Sequence, residues 1–78
     1  MTAYDQILDF LTSAPSLQDI VAFELSPETK ERVAYLDLAK LQGLLTADEE
    51  AELDEFNRAM HFMEMIQARA RRRLGIWD

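Results

Sequence analysis

The sequence predicts an all-α fold: a small helical domain in which two short N-terminal helices precede a helical hairpin with a long C-terminal helix. Three observations predict it. Only two Gly and two Pro occur in 78 residues, apolar residues recur at helical spacing, and several hydroxyl residues stand where a helix would be capped. A chain of this length is expected to form a single domain, residues 1–78, near the lower size limit for independent folding.

The first two predicted helices are short. Two hydroxyl residues are each followed three positions later by an acid, which is the spacing of a helix-capping box: Thr2 with Asp5, and Ser16 with Asp19. They predict helices over about residues 2–12 and 16–23, separated by the segment "SAPS".

The third helix has a stronger start signal. Ser26-Pro27-Glu28 places a hydroxyl cap, a proline in the first turn and an acid near the positive end of the helix dipole. The pattern predicts a helix over about residues 27–42, which Gly43 is well placed to end.

The fourth helix is the longest. Thr46 with Glu49 forms another capping box, and neither Gly nor Pro interrupts the predicted helix over about residues 47–74, which would be about 40 Å long. Its apolar seam has heptad spacing, widened by Ala59, Phe62 and Ile66: Leu53, Phe56, Met60, Met63, Gln67, Ala70 and Leu74. Since the third helix spans only about 24 Å, the distal half of this seam must pack on the first two helices or on another chain.

The corner between the last two helices, "LQGLLTADEEAELDEF", has three interpretations. A DNA-recognition helix is usually basic or neutral, whereas this helix opens with six acids in the eight residues 48–55. A calcium loop alternates its acids around a central Gly, whereas these acids follow a helix start signal. We therefore interpret the corner as a hairpin turn, with acids that complement the positive end of the helix dipole.

Few residues of the chain are candidates for catalysis or metal binding. The chain contains no Cys, and its one His, His61, precedes Glu64 in the reverse of the Glu-x-x-His order that di-iron bundles use twice. The Ser and Thr residues are explained as caps and turn residues. We predict no catalytic residue, no metal, no cofactor and no enzymatic activity. No secretory signal or membrane span is visible, so we expect a cytoplasmic protein without membrane contact.

The charge is unevenly distributed. The net charge is −7, and four of the eight basic residues form a cluster that we call the basic tip: Arg69, Arg71, Arg72 and Arg73. Three interpretations stay open for it. The arginines complement the negative end of the helix dipole, pair with the acidic helix start of an antiparallel copy, or contact nucleic acid weakly.

The expected function is protein–protein interaction. A homodimer is predicted along the distal half of the fourth helix, where the Met-rich seam is either core or an adaptable binding surface. The predicted interface residues are Met60, Phe62, Met63, Ile66, Ala70 and Leu74, with Trp77 as a further apolar anchor. The alternative is a nucleic-acid-associated protein that uses the basic tip.

Residues 26–73 carry a resemblance. The segments "SPETKERV", "GLLTADEEAELDEF" and "HFMEMIQARARRRL" resemble a group of short, acidic, all-helical bacterial proteins, frequent in cyanobacteria and mostly uncharacterised. The matching positions are Gly43, Leu45, Thr46, Glu49, Glu50, Glu52, Leu53, Asp54, Glu55, His61, Met63, Ala68, Arg69, Ala70 and Arg71. The resemblance implies an antitoxin-like or adaptor-like protein that pairs with another protein. The segment "DLAKLQG" departs from the pattern and makes the third helix more apolar.

Overall fold

The structure is a computed structural model that describes residues 2–75. These residues form four α-helices, and no strand occurs among them. The helices are α1 (Ala3–Thr12), α2 (Leu17–Ala22), α3 (Pro27–Leu41) and α4 (Ala47–Leu74). The predicted all-α class is confirmed, and each helix lies within one residue of its predicted bounds.

Side-chain caps fix where each helix begins. At three of the four starts a hydroxyl accepts the N–H three residues on, and the acid at that position accepts the N–H of the capping residue: Thr2 with Asp5, Ser16 with Asp19, and Thr46 with Glu49. At the start of α3 the Ser26 hydroxyl likewise accepts from the N–H of Thr29. The reciprocal bond is missing because position 29 is not an acid, and Pro27 occupies the first turn. Each cap satisfies N–H groups that have no partner within the helix.

Gly43 ends α3 and reverses the chain. Its φ of 70° lies in the left-handed region, which residues with a Cβ adopt only at a cost. The Gly43 N–H donates to the Lys40 carbonyl and the Leu44 N–H donates to the Ala39 carbonyl, at 3.0 and 2.9 Å. This pair of bonds is a Schellman motif. The corner is the predicted hairpin turn, and it directs α4 back along α3.

One half of the core lies between the distal part of α4 and the first two helices. Its buried residues come from α1, α4 and the connection between α2 and α3: Ala3, Ile7, Leu25, Ala59 and Met63. The rings of Phe10 and Phe23 meet at its edge, with centroids 4.7 Å apart. α1 and α2 therefore cover the part of α4 that α3 is too short to reach.

The other half of the core lies between α3 and the proximal part of α4. Leu36, Ala39 and Leu53 are buried there. At its edge the guanidinium of Arg32 donates from Nε and Nη2 to the two carboxylate oxygens of Glu52, at 2.8 and 2.9 Å. This bidentate bond joins α3 to the proximal part of α4.

Two glutamines bond the short helices α1 and α2 to the rest of the structure. The amide of Gln67 on α4 donates to the carbonyls of Ile20 and Phe23, both at 3.2 Å, where α2 ends. Gln6 on α1 donates to the Thr29 hydroxyl at 2.6 Å and accepts from the Ser26 N–H at 2.9 Å. Each glutamine satisfies polar groups at a helix terminus, so it fixes the position of a short helix.

The long axis of the molecule is set by α4. The structure extends over 43 × 26 × 18 Å, and a helix of 28 residues is about 42 Å long. None of the helices within residues 2–75 combines the length and hydropathy that crossing a membrane requires.

Candidate interaction surfaces

The predicted dimer interface on α4 lies largely on its inner side. Met63 and Ala70 are buried within the chain, with 0% and 3% of their surface exposed. Met60 and Ile66 are half-buried and pack on the same core as α1. The chain's own α1 and α2 cover this stripe.

The other predicted interface residues are placed differently. Leu74 is half-buried. Phe62 is 44% exposed, because it lies about 100° around the helix from Met63 and points away from the core. Trp77 lies outside the described residues. Of the predicted interface residues that the structure describes, Phe62 is therefore the most exposed.

An apolar surface that the sequence analysis did not single out lies on the outward side of α3 and in the corner that follows it. We call it the leucine face, and it consists of four large side chains that are 51–85% exposed: Tyr35, Leu38, Leu41 and Leu44. Leu36 and Leu38 are two residues apart, so they point to nearly opposite sides of the helix. Leu36 is buried against α4, whereas Leu38 faces solvent. α3 is therefore apolar on two sides, of which α4 covers one.

A second surface runs the length of α4. Its residues follow a 4-3 spacing about a third of a turn from the buried stripe, and all are exposed. We call it the outer seam: Ala51, Glu55, Arg58, Phe62, Met65, Arg69 and Arg72. Phe62 and Met65 form its apolar centre, being 44% and 48% exposed.

The charges along α4 are segregated. Its first nine residues, 47–55, hold six acids and no base, and its last six, 69–74, hold the four arginines of the basic tip and no acid. Arg69, Arg72 and Arg73 are exposed and Arg71 is half-buried. Within residues 2–75, none of these four arginines forms an ion pair. The basic tip therefore has its charge available for a partner.

Arg32 organises the acids at the start of α4. Its hydrogen bonds lower the pKa of the Glu52 carboxyl and raise the pKa of its own guanidinium. The pKa of Glu49 is lowered first by the hydrogen bond from the Thr46 N–H, and the charge of Arg32 adds to that effect. The guanidinium also lies 5.2 Å from the centre of the Tyr35 ring. These two acids are thus committed to the hairpin and less available to a partner.

His61 and Glu64 lie on the exposed side of α4. Among residues 2–75, no group of three or more His, Asp or Glu side chains is placed to hold a metal ion. The pair therefore has the surroundings of surface residues.

A cleft of about 380 Å³ opens between the start of α1, α3 and the proximal part of α4. Val33, Leu36 and Phe56 form its apolar wall. Its charged wall contains Glu28, Glu55 and the Arg32–Glu52 pair, and because that pair is already bonded, the uncompensated charge of the cleft is negative.

Comparison of the chain with protein-family models, with curated proteins and with solved structures found no match. The resemblance of residues 26–73 to short acidic bacterial proteins stays a prediction.

Proposed function

We propose that this chain is a non-enzymatic protein–protein interaction module, a small cytoplasmic regulator, antitoxin-like subunit or adaptor that also self-associates through α4. The observation that carries the proposal is the leucine face. Tyr35, Leu38, Leu41 and Leu44 stay more than half exposed although α3 already has a buried side. A group of exposed large apolar side chains of this kind is typical of interaction sites.

The leucine face suits an amphipathic helix of another protein. Leu38 and Leu41 are three residues apart on α3 and form a ridge along which a partner helix can lay its apolar side, and Leu44 follows in the corner after α3. Glu31 and Asp37 border this face and are exposed. A partner helix with basic residues beside its apolar stripe would complement both the leucines and these acids.

Affinity capture of the tagged chain from its native host, followed by mass spectrometry, tests the proposal. The wild type should recover a stoichiometric partner, and the Leu38→Glu/Leu41→Glu double variant should lose it, because two buried carboxylates oppose apolar docking. Leu8→Glu is the matched control, since Leu8 is 55% exposed, as Leu38 is, but lies on α1. Equal recovery by the double variant, or no partner with the wild type, contradicts the proposal.

A second candidate is association with nucleic acid through the basic tip. It is favoured by the exposure of Arg69, Arg72 and Arg73 and by the absence of ion pairs to them within residues 2–75. Such binding would weaken steeply with salt and would be lost when the arginines are replaced by Ala. A high nucleic-acid content in the captured material that disappears at high salt would support this candidate over the first.

A further inference from the structure

We infer that the outer seam of α4 is a self-complementary surface on which a second copy of this chain packs antiparallel, with the two-fold axis near Phe62. The inference rests on the proposed self-association through α4, and it specifies the face, the direction and the register. The proposed interface is therefore the exposed side of α4, and not the buried side of the sequence-based prediction, which α1 and α2 cover.

The first argument is the order of residue types along the seam. Ala51 and Glu55 lie at the end of the seam beside the other acids of α4, Arg58, Phe62 and Met65 at its centre, and Arg69 and Arg72 at its basic end, all exposed. A helix with acids at one end, apolar residues at the centre and bases at the other is complementary to itself only when the two copies run in opposite directions. A parallel pair would place acids against acids and arginines against arginines.

The second argument is the register. When Phe62 of one copy faces Phe62 of the second copy, Glu55 lies opposite Arg69 of the second copy, because both are seven residues from the axis. The exposed acids Asp48, Glu50 and Asp54 then lie near Arg72 and Arg73 of the second copy. The two-fold axis repeats each of these pairings, as an isologous contact requires.

The third argument is the availability of the charges. Within residues 2–75, neither Glu55 nor Arg69 forms an ion pair. The acids that do pair, Glu49 and Glu52, point toward Arg32 on the inner side of α4. Two copies that each carry a charge of −7 repel one another in most orientations. The antiparallel contact brings the acidic region of each against the arginines of the other.

The area of the seam indicates a weak dimer. A strip as long as α4 and as wide as a helix covers roughly 400 Å², whereas a stable interface buries about 800 Å² on each partner. The apolar centre consists of Phe62 and Met65, so charge has a large share in the association. We therefore expect a transient dimer that weakens as salt screens the pairs.

The inference is tested by exchanging the charges of Glu55 and Arg69. The dimer dissociation constant of each purified variant is measured by sedimentation equilibrium from about 5 µM to 1 mM protein. Glu55→Arg should weaken dimerisation about tenfold, since it replaces two attractive contacts with repulsive ones. Arg69→Glu should do the same. The double variant Glu55→Arg/Arg69→Glu should restore the wild-type association to within about threefold, because each pair is re-formed with reversed polarity.

The matched control is Asp9→Arg, which changes the net charge as Glu55→Arg does but lies on the exposed side of α1. It should leave dimerisation unchanged or strengthen it slightly. Raising the salt from about 0.1 to 1 M, which shortens the screening length from about 10 to 3 Å, should dissociate the wild type. All variants must retain wild-type helicity by circular dichroism; each changed side chain is exposed.

Two outcomes overturn the inference. One is a wild type that stays monomeric throughout this concentration range. The other is a dimer indifferent to the charge exchange and abolished by Leu38→Glu/Leu41→Glu, which would assign self-association to the leucine face. Neither outcome decides whether the chain captures another protein, so the proposed interaction function is tested separately by its own capture experiment.

Discussion

The two sides of α4 each carry a methionine near the middle of the helix, but they differ in what covers it. On the inner side, Met63 is fully buried by the chain's own helices, and on the outer side Met65, two residues away, is 48% exposed. The inner side is covered by α3 over its proximal half and by α1 and α2 over its distal half. The difference shows that α3, together with α1 and α2, covers the inner side of α4 along its length. The outer side is the one that we propose for association.

The largest expected effect comes from truncating the inner methionine. Met63→Ala should lower the free energy of unfolding by about 2–5 kcal/mol, because it removes buried area and leaves a cavity. A chain of this size has only about 4–12 kcal/mol in total, so partial unfolding at room temperature is within the expected range. Urea denaturation followed by far-ultraviolet circular dichroism measures the change.

The matched variant is Met65→Ala on the outer side. It should change the free energy of unfolding by less than about 0.5 kcal/mol, as exposed substitutions usually do. Similar losses for the two variants would mean that the two sides of α4 are not distinguished by burial as the structure has them.

An intermediate effect is expected from Gln67, the polar residue of the inner seam. Gln67→Met keeps the length of the side chain but removes the donor to the carbonyls of Ile20 and Phe23. The loss should be about 1–2 kcal/mol, since the part-buried Phe23 carbonyl loses its donor, whereas the Ile20 carbonyl still accepts from the Phe23 N–H. Amide hydrogen exchange should accelerate most in α2, and Gln18→Met, on the exposed side of α2, should leave exchange there unchanged.

The corner gives a smaller effect. Gly43→Ala should destabilise the chain by about 1 kcal/mol, because Ala at a φ of 70° is strained although its Cβ would meet no neighbouring atom. Part of the cost of the strain is offset, because Ala lowers the conformational entropy of the unfolded chain relative to Gly. A thermal melt measures it, and a rise in Tm would show that this position does not hold the left-handed conformation.

The smallest expected effect concerns the Arg32–Glu52 pair and its dependence on pH. Arg32→Gln should lower Tm at neutral pH by about 1–3 °C, in keeping with the small contribution of exposed ion pairs. The pKa of Glu52 is lower in the folded chain than its usual 4.5. The pair therefore stabilises the fold above that pH, and its contribution is lost as the pH falls through the folded pKa.

The difference in Tm between wild type and Arg32→Gln should accordingly disappear in acid. Arg58→Gln is the control, since Arg58 is exposed and joins no ion pair within residues 2–75. It should show no comparable pH-dependent difference. A difference between wild type and Arg32→Gln that persists or grows at low pH would assign the effect of Arg32 to packing, including its contact with Tyr35.

Local signals made the helices predictable from the sequence. The capping residues Thr2, Ser16, Ser26 and Thr46 and the terminating Gly43 act on neighbours within a few positions, so their partners are visible along the chain. The 3-4 spacing of the inner stripe likewise identified which side of α4 is apolar, although it left open what would cover that side.

The contacts between residues far apart in the sequence could not be predicted from these local patterns. The partners of Gln67 are 44 and 47 residues away, and its place in an otherwise apolar seam was the one local sign that it bonds to something. Apolar periodicity shows that Leu36, Leu38 and Leu41 belong to a helix, but not which side α4 takes. Whether α1 and α2 or a second chain covered Met63 depended on three-dimensional packing, and the structure assigns that place to α1 and α2.

Distances between spin labels test the assignment of the outer seam most directly. The chain contains no Cys, so single labels can be attached at Ala47→Cys or Ala68→Cys, both exposed on α4. An antiparallel pair with its axis near Phe62 places the two Ala47 positions about 45 Å apart along the helices and the two Ala68 positions about 18 Å apart, at 1.5 Å per residue. Double electron–electron resonance at millimolar protein should give the long distance for the first label and the short one for the second. Short and similar distances for both labels would indicate a parallel pair and contradict the account.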